Sequence, residues 1–376
     1  MSQSPKQRLD SLDALRGFDL FVLVALGPMV LQFVQSCGSE SLSGLAAIFT
    51  HKDWEGFSPW DLIMPLFVFM SGASIPFALS RMKREGLYGA FGKRLLKRVL
   101  LLWLFGMVVQ GNLLSFDSQH IYLYSNTLQS IATGYLVASL LFMFTTWRTQ
   151  VAAVVICLLT YWGAMEYITV DGFGGGDYTP AHNLAEWIDV QVLGRFRDGA
   201  VVAADGSVVF APWYHYTWIL SSVNFGATAV TGLLAGQIAR HGENRRLLLY
   251  FGGGALMVCA GWLWNIQMPV IKTIWTSSMV LVSSGYCFLL MGLFYWFYDI
   301  RKCRFGLSFL KVYGMNSIAA YLLSECINFR GVAHSVLYGF EQFIPSYYPF
   351  VLTLAQVGII FFILRTMNRQ GIYLKV

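Results

Sequence analysis

The sequence predicts an all-α fold, a polytopic membrane bundle of about ten transmembrane helices with both termini cytoplasmic. Three observations predict it. The 376-residue chain is 56% hydrophobic and only 12% charged, where a soluble domain carries about 25% charged residues. Apolar stretches recur along its length, each of roughly the 20 residues needed to cross about 30 Å of hydrocarbon. The basic residues concentrate in every second loop between those stretches, on one side of the bundle. The chain is expected to form one transmembrane domain over 1–376, with a periplasmic loop at about 169–215.

The expected spans are 13–36, 58–81, 92–113, 124–145, 150–168, 216–239, 246–265, 272–298, 306–328 and 348–368. The opening "MSQSPKQRLDSLDALRG" is not a cleavable leader by pattern, because Asp13, Arg16 and Asp19 interrupt the approach to the apolar run. The first helix is therefore expected to be retained. An even number of helices puts both termini on one side. Of the 26 Lys and Arg residues, 21 fall on that side, from Lys6, Arg8 and Arg16 through the 81–98 cluster to Lys375. Lys52, Arg195, Arg197, Lys272 and Arg330 fall on the other. Short cytoplasmic loops collect positive charge, so the termini are expected inside and His51 outside. The same rule accounts for the net charge of +6 without nucleic acid. No internal repeat is evident.

The 169–215 loop holds "DGFGGGDYTP" and "VVAADGSVVF". No strand–helix frame surrounds the first, so a phosphate cradle is rejected and a mobile lid or turn-rich loop expected. The second reads as a hairpin about an Asp-Gly turn. Six scattered cysteines without a CxxC pair suggest neither a disulfide framework nor a metal site. His120, His182, His215 and His334 lie toward the outer face without ligand spacing.

The stretch "HKDWEGFSPWDLIMP", from His51 to Pro65, holds the strongest candidates. A histidine near neutrality can accept, release or carry a group, and a neighbouring carboxylate such as Asp61 can orient one ring nitrogen. The plain alternative is an interfacial loop with anchoring tryptophans, and Asp61 complementing a helix dipole. Asp19 and Glu325 lie inside spans, where an acid costs roughly 2.5–3.5 kcal/mol and normally faces a partner or wet cavity. With Asn316, Ser317 and Gln129 they imply a polar interior, which a proton-coupled transporter would also use. Lys97 and Arg98 lead from the basic cluster into the third helix, as a charge flank or a phosphate grip. Lys272 is a lone outer lysine, either a snorkelling flank or a site residue.

Together, "RLDSLDALRGFDL", "HKDWEGFSPWDLIMPLFVFMSGASI", "TLQSIATGYLV", "PVIKTIWTSS" and "YGMNSIAAYLLSE" resemble, in order, the heparan-alpha-glucosaminide N-acetyltransferase family and its bacterial relatives. The resemblance implies an acyltransferase-like domain in the inner membrane. It implies acetyl-CoA as cytosolic donor and no metal, with a terminal glucosamine or other envelope glycan as acceptor on the far side. His51 would be base or acetyl carrier and Asp61 its orienting partner. Lys272 and Asn316 would hold the thioester carbonyl or the sugar, while Gln129, Glu325 and Asp19 would order the polar interior around the substrate. Arg16, Lys97 and Arg98 would grip the CoA phosphates. A homodimer is a family-level expectation. The chain departs from the pattern at Gly27, where the lysosomal member has an assisting Asn, at Ser130 in place of Arg, and at Tyr216-Thr217-Trp218. The competing reading is a sugar or glycan transporter or flippase built on the same bundle.

Overall fold

The computed structural model describes residues 9–203, 205–241 and 245–374. Lys6, Arg8 and Lys375, which enter the charge argument, lie outside the described residues. The fold is mostly helical. Its main helices are α1 (Asp10–Cys37), α2 (Pro59–Glu85), α3 (Tyr88–Val109), α4 (Thr127–Phe144), α5 (Trp147–Tyr167), α6 (Leu184–Leu193), α7 (Ser221–His241), α8 (Arg246–Trp264), α9 (Ser277–Ile300), α10 (Leu307–Met315), α11 (Ser317–Cys326), α12 (Phe329–Leu337) and α13 (Tyr348–Arg369). Seven of them among the described residues are long and apolar enough to cross a membrane: α1, α2, α4, α5, α8, α9 and α13. This is the architecture of a multi-pass membrane protein.

Helices also stand at the three remaining expected spans, and each falls short of a simple apolar span for a physical reason. The first half of α3 carries Lys93, Arg94, Lys97 and Arg98. Helix α7 packs against α2, α4, α5 and α9 at the centre of the bundle. It carries polar side chains that are satisfied there: Asn224 donates to the Trp275 carbonyl (2.7 Å), Thr231 to Ser284 (3.0 Å) and Gln237 to Gln150 (2.7 Å). A helix surrounded by protein need not be apolar enough for lipid. The stretch expected at 306–328 breaks at Asn316, where φ −120° and ψ 42° leave the helical region, so α10 and α11 are each too short to span.

Close backbone approach sets the bundle's geometry. A Cβ added to Gly72, Gly232 or Gly236 would lie 1.8–2.2 Å from a backbone oxygen of the facing helix, which fixes the α2–α7 crossing. Gly17 and Gly314 do the same where α1 meets α10. Such small-residue contacts replace the hydrophobic driving force that lipid does not provide. Exposed apolar side chains on the outer helices, such as Val155 and Ile156 on α5 and Leu256 and Leu263 on α8, suit a lipid-facing surface.

The segment after α5 is better ordered than its glycine-rich sequence suggests. The hairpin expected in "VVAADGSVVF" forms: β3 (Ala200–Val202) pairs antiparallel with β4 (Val208–Phe210), with Val201 opposite Val209. Before it, β1 (Thr169–Val170) and β2 (Phe173–Gly174) make a shorter hairpin. Where a mobile lid or turn-rich loop is expected, the turns are present and pack into a small folded unit organised around a fully buried arginine. Arg197 pairs with Glu186 (2.7 Å) and donates to the Tyr214 carbonyl (3.0 Å). Buried Asp189 accepts the backbone N–H groups of Trp218 (2.7 Å) and Ile219 (2.9 Å), fastening the unit to the entry of α7. Periodicity and turn signals do not register a buried ion pair.

Candidate active site

The His51 loop is built by a capping box. Ser58 precedes the first turn of α2, and the Asp61 carboxylate reaches back to accept the Ser58 N–H (2.9 Å) and hydroxyl (2.9 Å). That leaves the other oxygen, Oδ1, facing His51 Nδ1 at 2.7 Å. Asp61 is 1% exposed and His51 45% exposed at the side chain, so a buried carboxylate holds an accessible imidazole. With Nδ1–H donating to Asp61, Nε2 carries the lone pair.

Lys272 arrives from 221 residues away. The Gly56 N–H donates to the Val270 carbonyl (2.8 Å), and Glu55 bridges to Ile271. Lys272 Nζ thereby stands 3.2 Å from both His51 ring nitrogens and 4.0 Å from Asp61 Oδ1. Its loop is over-determined. Trp275 adopts the left-handed φ of 52°, a conformation that costs of order 1–3 kcal/mol and persists only where surroundings impose it. Here they do: Asn224 binds the Trp275 carbonyl, the Trp275 indole donates to Thr228 (3.1 Å), and Thr276 Oγ1 accepts the Ile271 N–H (3.1 Å). The helix expected to begin at 272 begins at Ser277, and Lys272 lies in the loop before it. Burial pushes its ammonium down to about 8, opposed by the attraction of Asp61.

One cavity of about 610 Å³ links this group to the basic cluster. His51, Lys272, Tyr216, Trp218 and Gln110 line one part, and Arg16, Arg94 and Arg98 another. Between them lie Met64, Phe67, Leu102, Leu128 and Ile131. Arg94 and Gln110 are 16 residues apart along α3 and its C-terminal end, about 24 Å at 1.5 Å per residue. The cavity therefore runs along the bundle, with a His–Asp–Lys group toward one end and three arginines toward the other.

The remaining sequence candidates divide. Glu325 lines the cavity beside Tyr321. Lys97 does not: it is exposed on α3, and the cavity-facing stripe is Arg94, Arg98 and Leu102 at i, i+4 and i+8. Arg94 is the residue missed, although its spacing from Arg98 could have found it. Gln129 is fully buried in the α4 capping box, accepting the Ser125 and Asn126 N–H groups and donating to the Leu123 carbonyl. It does not line the cavity. Asn316 is likewise engaged elsewhere, donating to the Ile372 carbonyl (3.0 Å) and accepting the Leu374 N–H (3.2 Å). It pins the C-terminal segment, whose Leu374 does line the cavity. Asp19 is buried on α1 and is not among the residues that line the cavity, with Oδ2 lacking a hydrogen-bond partner among the described residues.

Two departures also gain a structural account. A Cβ at Gly27 would meet the Trp60 ring at 2.3 Å, so the indole fills the space of any larger residue there. The Ser130 hydroxyl bonds the Thr127 carbonyl within its own helix (2.8 Å).

Fold and site thus define a multi-pass membrane protein with an accessible, carboxylate-held histidine on an elongated internal cavity. Residues 8–173, which include His51, Asp61, Arg94 and Arg98, match the family model described as Heparan-alpha-glucosaminide N-acetyltransferase, catalytic. Over most of its length the chain is also similar to two curated proteins of that name. It is 25% identical to the Mus musculus protein over 408 aligned residues, covering 93% of this chain and 57% of the relative. It is 24% identical to the Homo sapiens protein over 370, covering 85% and 53%. The chain spans little more than half the length of these relatives. The resemblance carried by the His51–Ser74 block and its companions is borne out.

Proposed function

We propose that this protein is an inner-membrane acetyltransferase that moves an acetyl group from cytoplasmic acetyl-CoA to the amine of an amino sugar or envelope glycan on the periplasmic side. The observation that carries the reading is one continuous cavity lined by His51 in one part and by arginines in another. The cavity suits the donor: a polyanionic nucleotide end would stay with Arg16, Arg94 and Arg98, and the pantetheine arm would lie along the apolar middle. The loop-charge bias supports a cytoplasmic arginine end and cytoplasmic termini.

At the other end the neutral amine nitrogen attacks the thioester carbonyl carbon. The C–N bond forms, the C–S bond breaks, and the CoA thiolate leaves. His51 Nε2 takes the proton the nitrogen sheds, directly in this route, or carries the acetyl group between two transfers. Asp61 holds the productive tautomer and stabilises the imidazolium. The Lys272 ammonium is placed to stabilise the carbonyl oxygen as it gains charge, and Glu325 and Tyr321 line the path between.

Purified protein in nanodiscs should transfer acetyl from acetyl-CoA to glucosamine. The double change Arg94→Ala, Arg98→Ala should raise the KM for acetyl-CoA by roughly 10–100-fold, about 1.5–3 kcal/mol for lost charge-assisted contacts, and alter kcat little. A well-folded wild type that neither binds nor turns over acetyl-CoA would sink the proposal in favour of transport.

Lys272 adds a pH signature. A catalytic ammonium with its pKa near 8 is charged below that pH, so activity should fall as pH rises through 8. Lys272→Arg should move that descending limb upward by more than one unit, since guanidinium stays charged; an unmoved limb would remove Lys272 from the mechanism. The stability sign is opposite. The folded value lies below the free lysine's 10.5, so charging Lys272 costs stability. That cost is full below pH 8 and disappears as pH rises through 10.5.

A further inference from the structure

Beside the His51 end of the cavity lies a second, more open hollow of about 480 Å³. It shares Gln110, Tyr214 and Tyr216 with the first, so the two adjoin. Its own walls include Tyr122, Asn112, Trp213 and Asp198. Trp213 is 74% exposed, and its ring stands edge-on to Tyr214 at 6.0 Å, with Tyr216 5.9 Å beyond. Asp198 is half-buried and receives the Gln110 side-chain amide at 2.9 Å. Among the described residues, no Lys or Arg lines the hollow. Arg197, next to Asp198 in sequence, is fully buried: it pairs with Glu186, donates to the Tyr214 carbonyl and lies over the Tyr214 ring at 5.0 Å.

We propose that this hollow is a second sugar subsite, which seats the ring next to the acetylated one and selects a neutral or amine-bearing glycan over an anionic one. Aromatic faces take the C–H face of a pyranose, and Gln110, Asn112 and Tyr122 offer partners for its hydroxyls. The Asp198 carboxylate attracts an ammonium substituent and repels a carboxylate or sulfate, and Lys272, over the shared Tyr216 ring at 5.6 Å, lines the adjoining cavity and not this hollow. The acceptor is then an oligosaccharide end and not a free monosaccharide. This rests on the acceptor reading above and narrows it.

The test is direct binding to the full chain in nanodiscs by calorimetry, with three probes: glucosamine, a β-linked glucosamine tetramer, and a tetrasaccharide alternating glucosamine with uronic acid. Wild type should bind the glucosamine tetramer at least tenfold more tightly than either other probe. Trp213→Ala should bring the tetramer within threefold of the monomer, and Trp213→Phe should keep most of the preference. Asp198→Asn should erase the preference over the anionic chain. Equal affinity for all three probes in wild type, or a preference that survives both Trp213→Ala and Asp198→Asn, overturns the subsite. Tetramer preference in a protein that transfers no acetyl group would sustain the subsite and remove the enzyme reading instead.

Discussion

Replacing His51 with alanine should lower acetyl transfer by about 10³–10⁴-fold, the combined worth of a positioned base or acyl carrier. It should leave acetyl-CoA affinity within about twofold, because the arginines line a separate part of the cavity, Arg94 lying about 24 Å by helix rise from Gln110. The fold should survive. His51 is 45% exposed and among the described residues its side chain makes polar contacts with Asp61 and Lys272 alone, and Asp61 keeps the Ser58 N–H and hydroxyl. The measurement is steady-state transfer beside calorimetric acetyl-CoA binding, on protein of unchanged elution volume. Retention of more than a tenth of wild-type kcat would remove His51 from the chemistry. Lost binding together with lost turnover would point to a collapsed cavity.

What the sequence disclosed and what it hid divide along physical lines. Local signals were legible. Ser58-Pro59 and Asp61 announced a helix start, Asp-Gly announced the β3–β4 hairpin, and apolar runs marked the helices. The partnership of His51 with Asp61 was readable because ten residues separate them. Lys272 was readable only as a candidate, since its place depends on the Gly56–Val270 hydrogen bond and on a left-handed Trp275 that no periodicity encodes. The amides are hard to read for a related reason. Gln129 and Asn316 are polar residues in apolar runs, and a binding site and a satisfied backbone contact look alike in sequence. Arg197 in a glycine-rich loop concealed the folded unit, because pairing to Glu186 and Tyr214 is a tertiary fact. Lys97 shows the limit of composition. It belongs to the same basic cluster as Arg94 and Arg98, and only the helical angle separates a residue that faces the cavity from one that faces away.

Asp61→Asn should cost nearly as much turnover as His51→Ala, about 10³-fold or more, while changing stability little. An amide has one oxygen and one NH₂ where the carboxylate has two acceptors. The native Oδ2 accepts the Ser58 N–H at 2.9 Å and Oδ1 faces His51 Nδ1 at 2.7 Å. The Asn oxygen can keep the cap, and its NH₂ then points at Nδ1. The imidazole must accept there and carry its proton on Nε2, so the nitrogen facing the cavity loses its lone pair. In a serine-protease triad the same carboxylate-to-amide change costs about 10⁴ in rate through the wrong tautomer. Ser58→Ala separates this from a loss of capping. It removes the hydroxyl that contacts Asp61 (2.9 Å) and the Thr50 carbonyl (2.8 Å) but leaves the carboxylate facing His51, so it should cost ~1 kcal/mol of stability and less than tenfold in kcat. Histidine ¹⁵N shifts would report the tautomer directly, with the proton on Nδ1 in wild type and on Nε2 in Asp61→Asn. If Asp61→Asn kept the Nδ1–H tautomer and full turnover, Asp61 would serve only as the cap of α2, and the catalytic case for His51 would rest on the cavity alone.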